Sequence, residues 1–414
     1  MKSGSRPAII LSHSGKQHSY YTARALNNLG VLKRFYTSSY ISSPVLQSFI
    51  ERQGLHYWSR RFLQGLSGNV IKPAWGYEVK ELVYRRLFGN SKKVNELVLE
   101  RDISFDRNLS AQLAKMKYDI FWGYQGSCYE SLHSANKSGK VSICEMTTAH
   151  LPFAQKILRE EANIYPEWAD SLDFADFPSA YEKRLIEEPL RAKKVIAISE
   201  FLKHSLVEEG MPEEKIDIIL LGFDAEKVKY VSETPSIKNR PLRLLFAGKI
   251  TQRKGIQYLL DAMKGFSRKD VELTFIGNLY GSGQAFKSQL DNHTYIPGIS
   301  QAQMFEKYCE FDVLVFPSIL EGFGLVTVEA MGAGLPVITT PNTNAYEILK
   351  SGYNGYLVPV RDSSAIARAI RDFREMDDDQ FNVMKRQARE TALNYTWNAY
   401  EQQIERYISK ISIV

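Results

Sequence analysis

Short apolar runs alternate with amphipathic segments of helical length along most of the chain. PAIILSH (7–13), YDIFWGY (118–124) and VSICEM (141–146) are separated by helix-like stretches such as YTARALNNLG (21–30). After residue 240 the alternation returns as RLLFAGK, GIQYLLDAMKGF, VELTFIG, QMFEKYCEF, DVLVFPS, TVEAMGAG and PVITT. Continuous Val, Ile, Leu and Phe runs bounded by Gly or Pro mark parallel strands buried on both faces. The pattern therefore predicts two doubly wound α/β sheets. Between them KVKYVSETPSIKNRP (227–241) has no apolar periodicity and is rich in Ser, Thr, Pro and Lys, as a linker is. The expected division is a first domain over 1–225, a linker over 226–240, a second domain over 241–390 and a closing helix over 391–414.

One segment, about 43–107, breaks the rhythm. It predicts an inserted set of helices carrying Val45, Leu46, Phe49, Tyr57, Trp58, Phe62, Val83 and Leu87 among Arg60, Arg61, Arg85, Arg86, Lys92 and Lys93. Charge sharpens this picture. Residues 1–117 hold 19 Lys and Arg against 7 Asp and Glu, a balance of +12 in a chain whose net charge is +6. A basic, aromatic-bearing amphipathic insertion suits an anionic membrane surface or an acidic acceptor, and equally a solvated helical face packed on the first sheet.

A chain of 414 residues has room for two cores without disulfides or metals. Three cysteines, none in a CxxC pair, fit a reducing compartment. The apolar run near the N-terminus is too short for a signal peptide, and no apolar stretch approaches the length of a spanning helix. The expectation is a cytoplasmic protein, peripheral at the inner membrane face if the insertion binds lipid. No HxxxH, DxD or CxxC cluster offers a metal site, no GxGxxG marks a dinucleotide cofactor, and no nucleic-acid motif is present.

The chemistry concentrates in FDVLVFPSILEGFGLVTVEAMGAGLPVITT (311–340). A buried strand runs into a loop with Glu321, Gly322, Phe323 and Gly324, and a helix starts near Leu325 with Glu329 on its first turns. Unpaired N–H groups at such a helix start bind phosphate, and glycines let the backbone approach a ligand closely. Two carboxylates beside a diphosphate cradle are acceptors for hydroxyls, so the combination reads as a nucleotide-sugar site. A second unit, FAGKITQRKGIQYLLDA (246–262), puts Lys249, Arg253 and Lys254 at the same sheet edge, where charge on a departing diphosphate needs cations.

Residues 321–337 resemble the donor-site signature EGFGxxxxEAMxxGxPV of the retaining glycosyltransferases of family 4, whose fold is GT-B, two facing Rossmann-like domains. The resemblance implies that Glu321 and the Gly322, Phe323 and Gly324 amides meet the sugar, that the Leu325 and Val326 amides meet the diphosphate, and that Glu329 binds the ribose. It makes Arg253 and Lys254 the catalytic cations, with Lys249 where many members have Arg, and it has the closing helix cross back onto the first domain. In the first domain Gly15, in SHSGKQH, stands where members often have a Gly-Gly loop, and His150 matches a histidine near the transferring sugar. The implied activity is transfer of a sugar from a nucleoside-diphosphate sugar, UDP-linked by preference and GDP-linked as the alternative, to a glycan or lipid-linked acceptor in surface polysaccharide or glycolipid synthesis. No cofactor and no metal are expected. The competing readings are a nucleotide-sugar 2-epimerase of the same architecture and a non-catalytic nucleotide-sugar-binding protein.

Overall fold

The computed structural model describes residues 6–53, 58, 60–88, 92–172, 177–232, 235–291 and 293–411. Tyr57, and the side chains of Lys92 and Lys93, lie outside the described part.

The first sheet is built from β1 (Ile9–His13), β2 (Leu32–Thr37), β3 (Ile71–Pro73), β4 (Ile120–Tyr124), β5 (Val141–Met146), β6 (Lys194–Ala197) and β7 (Ile216–Ile218). Its order is β3-β2-β1-β4-β5-β6-β7, with every pairing parallel. The second holds β8 (Leu242–Ala247), β9 (Val271–Ile276), β10 (Thr294–Ile296), β11 (Val313–Phe316), β12 (Val337–Thr339) and β13 (Gly355–Leu357) in the order β10-β9-β8-β11-β12-β13, again all parallel. The strand order reverses between β1 and β4 and between β8 and β11. Such a switch point opens a crevice at the carboxyl ends of the strands. β1 and β4 are buried along their whole length, as their uninterrupted apolar runs require.

The inserted segment is less purely helical than its composition implies. Helices Pro44–Arg52, Trp75–Phe88 and Lys92–Leu113 are present, but β3 lies between the first two and pairs with β2 at the sheet edge. A three-residue strand, IKP, has no periodicity to read and exists only because β2 offers it an open edge.

The helix Trp397–Lys410 packs against the first domain's helix Ser19–Asn28. Trp397 stacks on Tyr21 with ring centroids 3.6 Å apart and planes 6° apart, Tyr400 lies 2.7 Å from the Thr22 hydroxyl, and Arg24 pairs with Glu401 at 2.5 Å. Gly222 permits the crossing: a β-carbon there would lie 2.4 Å from the Thr396 carbonyl carbon.

Candidate active site at the domain interface

The site begins with two loops that only glycine lets meet. The turn Gln252–Lys254 follows β8 and ends at Gly255, whose φ of +69° lies in the left-handed region. A β-carbon on Gly255 would sit 2.0 Å from the Pro317 carbonyl oxygen. The loop after β11 therefore packs directly on this turn, and the backbones join where Ile319 N–H donates to the Arg253 carbonyl at 2.9 Å. Thr340 and Asn342, after β12, hold the same loop through the Ser318 and Ile319 carbonyls at 2.5 and 2.8 Å.

That contact sets the charges. The Arg253 guanidinium donates to the Leu320 carbonyl at 2.7 Å and lies 3.8 Å from a Glu321 carboxylate oxygen. Lys254 forms an ion pair with the same oxygen. The other Glu321 oxygen accepts the Gly322 N–H at 3.2 Å. Gly324, at φ +85°, turns the chain into the helix Leu325–Gly332, whose first N–H groups face the crevice.

Two cavities meet at Glu321. One, of about 460 Å³, is lined by Gly248, Lys254, Phe323, Gly324, Leu325 and Val326 from the second domain, facing His18, Tyr21, Thr147 and Trp397. The other, of about 410 Å³, extends into the first domain past His13, Gly15, Arg101, Phe177 and Tyr181, with Arg253 at its mouth. Glu321, Gly322, Gln17, Thr147 and Thr148 belong to both. A ligand in each would meet the other at the Glu321 loop.

The first-domain cavity is electrically quiet. Arg101 is paired with Asp102 at 2.8 Å and Glu81 at 2.6 Å, and Asp102 accepts hydroxyl bonds from Ser14 and Tyr181 at 2.7 and 3.0 Å. Burial pushes the His13 imidazole down to about 3, so it is neutral. Its Nδ1 accepts the Gly15 N–H at 2.9 Å. Basic charge gathers elsewhere, in a cavity of about 680 Å³ lined by Lys16, Arg24, Arg60 and Lys227. There burial, together with the nearby Arg61 and Arg60, pushes Lys16 down to about 8.

Residues 231–391 match the family model described as glycosyl transferases group 1. The second domain is similar to a group 1 glycosyltransferase domain. Among curated relatives, the chain is 32% identical over 198 residues to the capsular polysaccharide biosynthesis glycosyltransferase CapM of Staphylococcus aureus, covering 43% of this chain and 51% of that one. It is 24% identical over 237 residues to the putative colanic acid biosynthesis glycosyltransferase WcaL of Salmonella typhimurium, covering 53% and 57%. The chain thus spans a little over half the length of these relatives. Among solved structures, HepE of Anabaena in complex with UDP and glucose superposes with a TM-score of 0.63 at 15% identity, over 98% of this chain and 100% of that one. The fold is GT-B.

Within this fold the structure brings together Glu321, Arg253, Lys254 and the 322–326 backbone, and places Gly15 in the adjoining first-domain cavity. Three sequence candidates stand apart. Glu329 is buried below the helix start, its carboxylate accepting from Tyr308 and Gln301 at 3.0 Å each, and burial raises its pKa. Lys249 is exposed, with its ammonium 5.5 Å from the Tyr280 ring centroid. His150 is not among the residues lining the two cavities at the Glu321 loop. Its backbone caps the helix Leu151–Ile164, and its Nε2 lies 3.1 Å from the Ile186 carbonyl.

A histidine that does line the second-domain cavity is His18. Its Nε2 is hydrogen-bonded to the fully buried Glu145, whose other oxygen accepts the Trp122 indole N–H at 2.8 Å. His18 and Glu145 are 127 residues apart. The sequence signal was the pair of histidines flanking Gly15 in SHSGKQH, and nothing local linked the second of them to a carboxylate on β5.

Proposed function

We propose that the chain is a retaining glycosyltransferase of the family 4 type. It takes a sugar from a nucleoside-diphosphate sugar, UDP-linked by preference, and passes it to a glycan or lipid-linked acceptor in surface polysaccharide or glycolipid synthesis. The observation that carries the reading is the convergence of Arg253, Lys254 and the Leu325–Gly332 helix start on Glu321, where the two cavities join. The donor occupies the cavity of the second domain, its diphosphate against the cations and the amides of Leu325 and Val326, its sugar against Glu321. The acceptor enters from the first-domain cavity. Breaking the glycosidic bond puts negative charge on the departing phosphate oxygen, and preorganised cations and N–H groups stabilise it. Leaving-group charge is met by the chain's own groups, without a metal or an obligatory protein nucleophile. The names of CapM and WcaL, and the UDP and glucose bound to HepE, support the polysaccharide context and the donor class.

The finer location is peripheral, at an anionic membrane face. No helix among the described residues is long and apolar enough to cross a membrane. Yet Val45 is 80% exposed, Phe49 57% and Leu87 68%, all on helices of the basic insertion. Apolar side chains beside basic residues are the composition of an interfacial helix.

The function is tested in two steps. In a thermal-shift panel of UDP, GDP, ADP and CMP, UDP stabilises the protein in proportion to the logarithm of its concentration above Kd and the others do not. Arg253→Ala and Glu321→Ala then each lower donor turnover by about 10²- to 10³-fold, the usual cost of losing one such stabilising group. Rates within about twofold of wild type in both variants would sink the assignment. Product NMR with donor alone separates transfer from 2-epimerisation, which needs no acceptor.

A further inference from the structure

Glu161 belongs to the first domain, yet the partners of its carboxylate come from the second. It sits on the last turns of the helix Leu151–Ile164 and is fully buried. One oxygen accepts from the Gln257 side-chain amide at 2.8 Å and from the Tyr258 hydroxyl at 3.0 Å. The other accepts from Arg361 Nε at 2.7 Å. Arg361 holds the left-handed backbone at φ +67° and also donates to the Ile157 carbonyl and to Glu160, at 3.1 Å each. A buried carboxylate is tolerated only with a full set of donors, and this set exists only while the two domains are together.

The same contact reaches the catalytic turn. Gln252, directly before Arg253, donates its side-chain amide to the Glu161 carbonyl at 2.7 Å and to the Tyr165 carbonyl at 3.1 Å. Its backbone N–H donates to Ser171 Oγ at 2.8 Å. The turn that carries Arg253 and Lys254 is therefore tied to the first domain at its first residue, while its last, Gly255, rests on Pro317 of the second.

We infer that Glu161 is a positioning residue: by clamping Gln257, Tyr258 and Arg361 across the interface beside Gln252, it sets Arg253 and Lys254 against the terminal phosphate of the donor. This rests on the nucleoside-diphosphate reading of the site. The two cations are then aligned by domain closure, and the second sheet alone does not hold them in register.

The test is calorimetric titration of the full chain with UDP and with UMP, which lacks the terminal phosphate. Glu161→Gln weakens UDP binding about tenfold and UMP binding less than about twofold, tenfold being about 1.4 kcal/mol. In the Arg253→Ala background the effect shrinks, since only Lys254 is left to be misplaced, so that the double variant binds UDP more tightly than the sum of the two single losses predicts. Gln252→Ala, which leaves no buried charge, shows the same UDP-selective loss and stands in if the Glu161 variant does not fold. Equal loss for UDP and UMP, or additive effects of Glu161→Gln and Arg253→Ala, would reduce Glu161 to a structural contact and overturn the inference. A wild-type protein that binds no nucleoside diphosphate at all would instead overturn the function reading, and this inference with it.

Discussion

The hydroxyl of Ser199, in the first domain, donates a 2.7 Å hydrogen bond to the carbonyl of Gly322, in the second. The same oxygen accepts the Leu202 N–H at 3.2 Å and so caps the helix Glu200–Glu208. One fully buried side chain ends a helix and ties the Glu321 loop to the opposite domain. Ser199→Ala removes both bonds, at about 1 kcal/mol each. Urea unfolding should show a loss of about 2 kcal/mol in the first transition, and Ser199→Thr should recover most of it. A loss below about 0.5 kcal/mol would mean that the interdomain bond contributes nothing in solution.

Gly322 packs against the first domain with no room for a side chain. A β-carbon there would lie 2.2 Å from the Thr147 carbonyl oxygen, and no side-chain rotation relieves a clash with backbone. Gly322→Ala should hold the domains apart while each sheet stays folded. Donor turnover should fall by at least about tenfold, the equivalent of about 1.4 kcal/mol of transition-state stabilisation, with far-ultraviolet circular dichroism unchanged. Wild-type turnover in this variant would show that closure on the Glu321 loop is not needed for catalysis.

Glu347 should make stability fall as pH rises towards 7. Burial pushes its carboxyl up to about 7, against the Glu200 N–H that donates to it at 2.5 Å across the domain boundary. In the unfolded chain the group ionises in the ordinary carboxylate range. As pH rises from that range towards 7, the unfolded chain loses this proton before the folded one does, so the stabilisation present at low pH is lost. Denaturation at pH 5 and pH 7.5 should show Glu347→Gln gaining on wild type at the higher pH. A constant difference between the two proteins would place the Glu347 pKa in the ordinary range.

Membrane association predicts a specific pattern in vesicle flotation. Wild type should rise with vesicles containing anionic lipid at low salt, less so at raised salt, and not with neutral vesicles. Replacing Val45, Phe49, Val83 and Leu87 by Ser should abolish flotation and leave donor turnover unchanged, because none of the four lines a cavity at Glu321. Equal recovery with neutral vesicles would leave these exposed side chains as plain surface.

The second domain was readable because its chemistry is local. Glu321, Gly322, Gly324 and the helix start belong to one strand-loop-helix unit, and Arg253, Lys254 and Gly255 to another. A βα unit delivers its own loop to the carboxyl edge of its own sheet, so position along the chain nearly determines position in the site. Even there the fate of Glu329 was not local. Whether a carboxylate one turn into the helix faces a ligand or Tyr308 depends on how the chain between β10 and β11 folds back over it.

The first domain's share of the site comes from separated segments: Ser14 to His18 after β1, Thr147 and Thr148 after β5, and the closing helix at Trp397. The sequence by itself determined that two parallel α/β sheets form and which loop of the second reaches the interdomain cavities, because hydrophobic period and glycine placement act within a few residues. Only the tertiary structure decided that His18 lines the second-domain cavity, that β3 adds an edge to the first sheet, and that Glu161 meets Arg361 200 residues away. Those outcomes depend on which side chains a packed interface brings together. Burial then fixes them, since a buried carboxylate or imidazole must find partners wherever in the chain they lie.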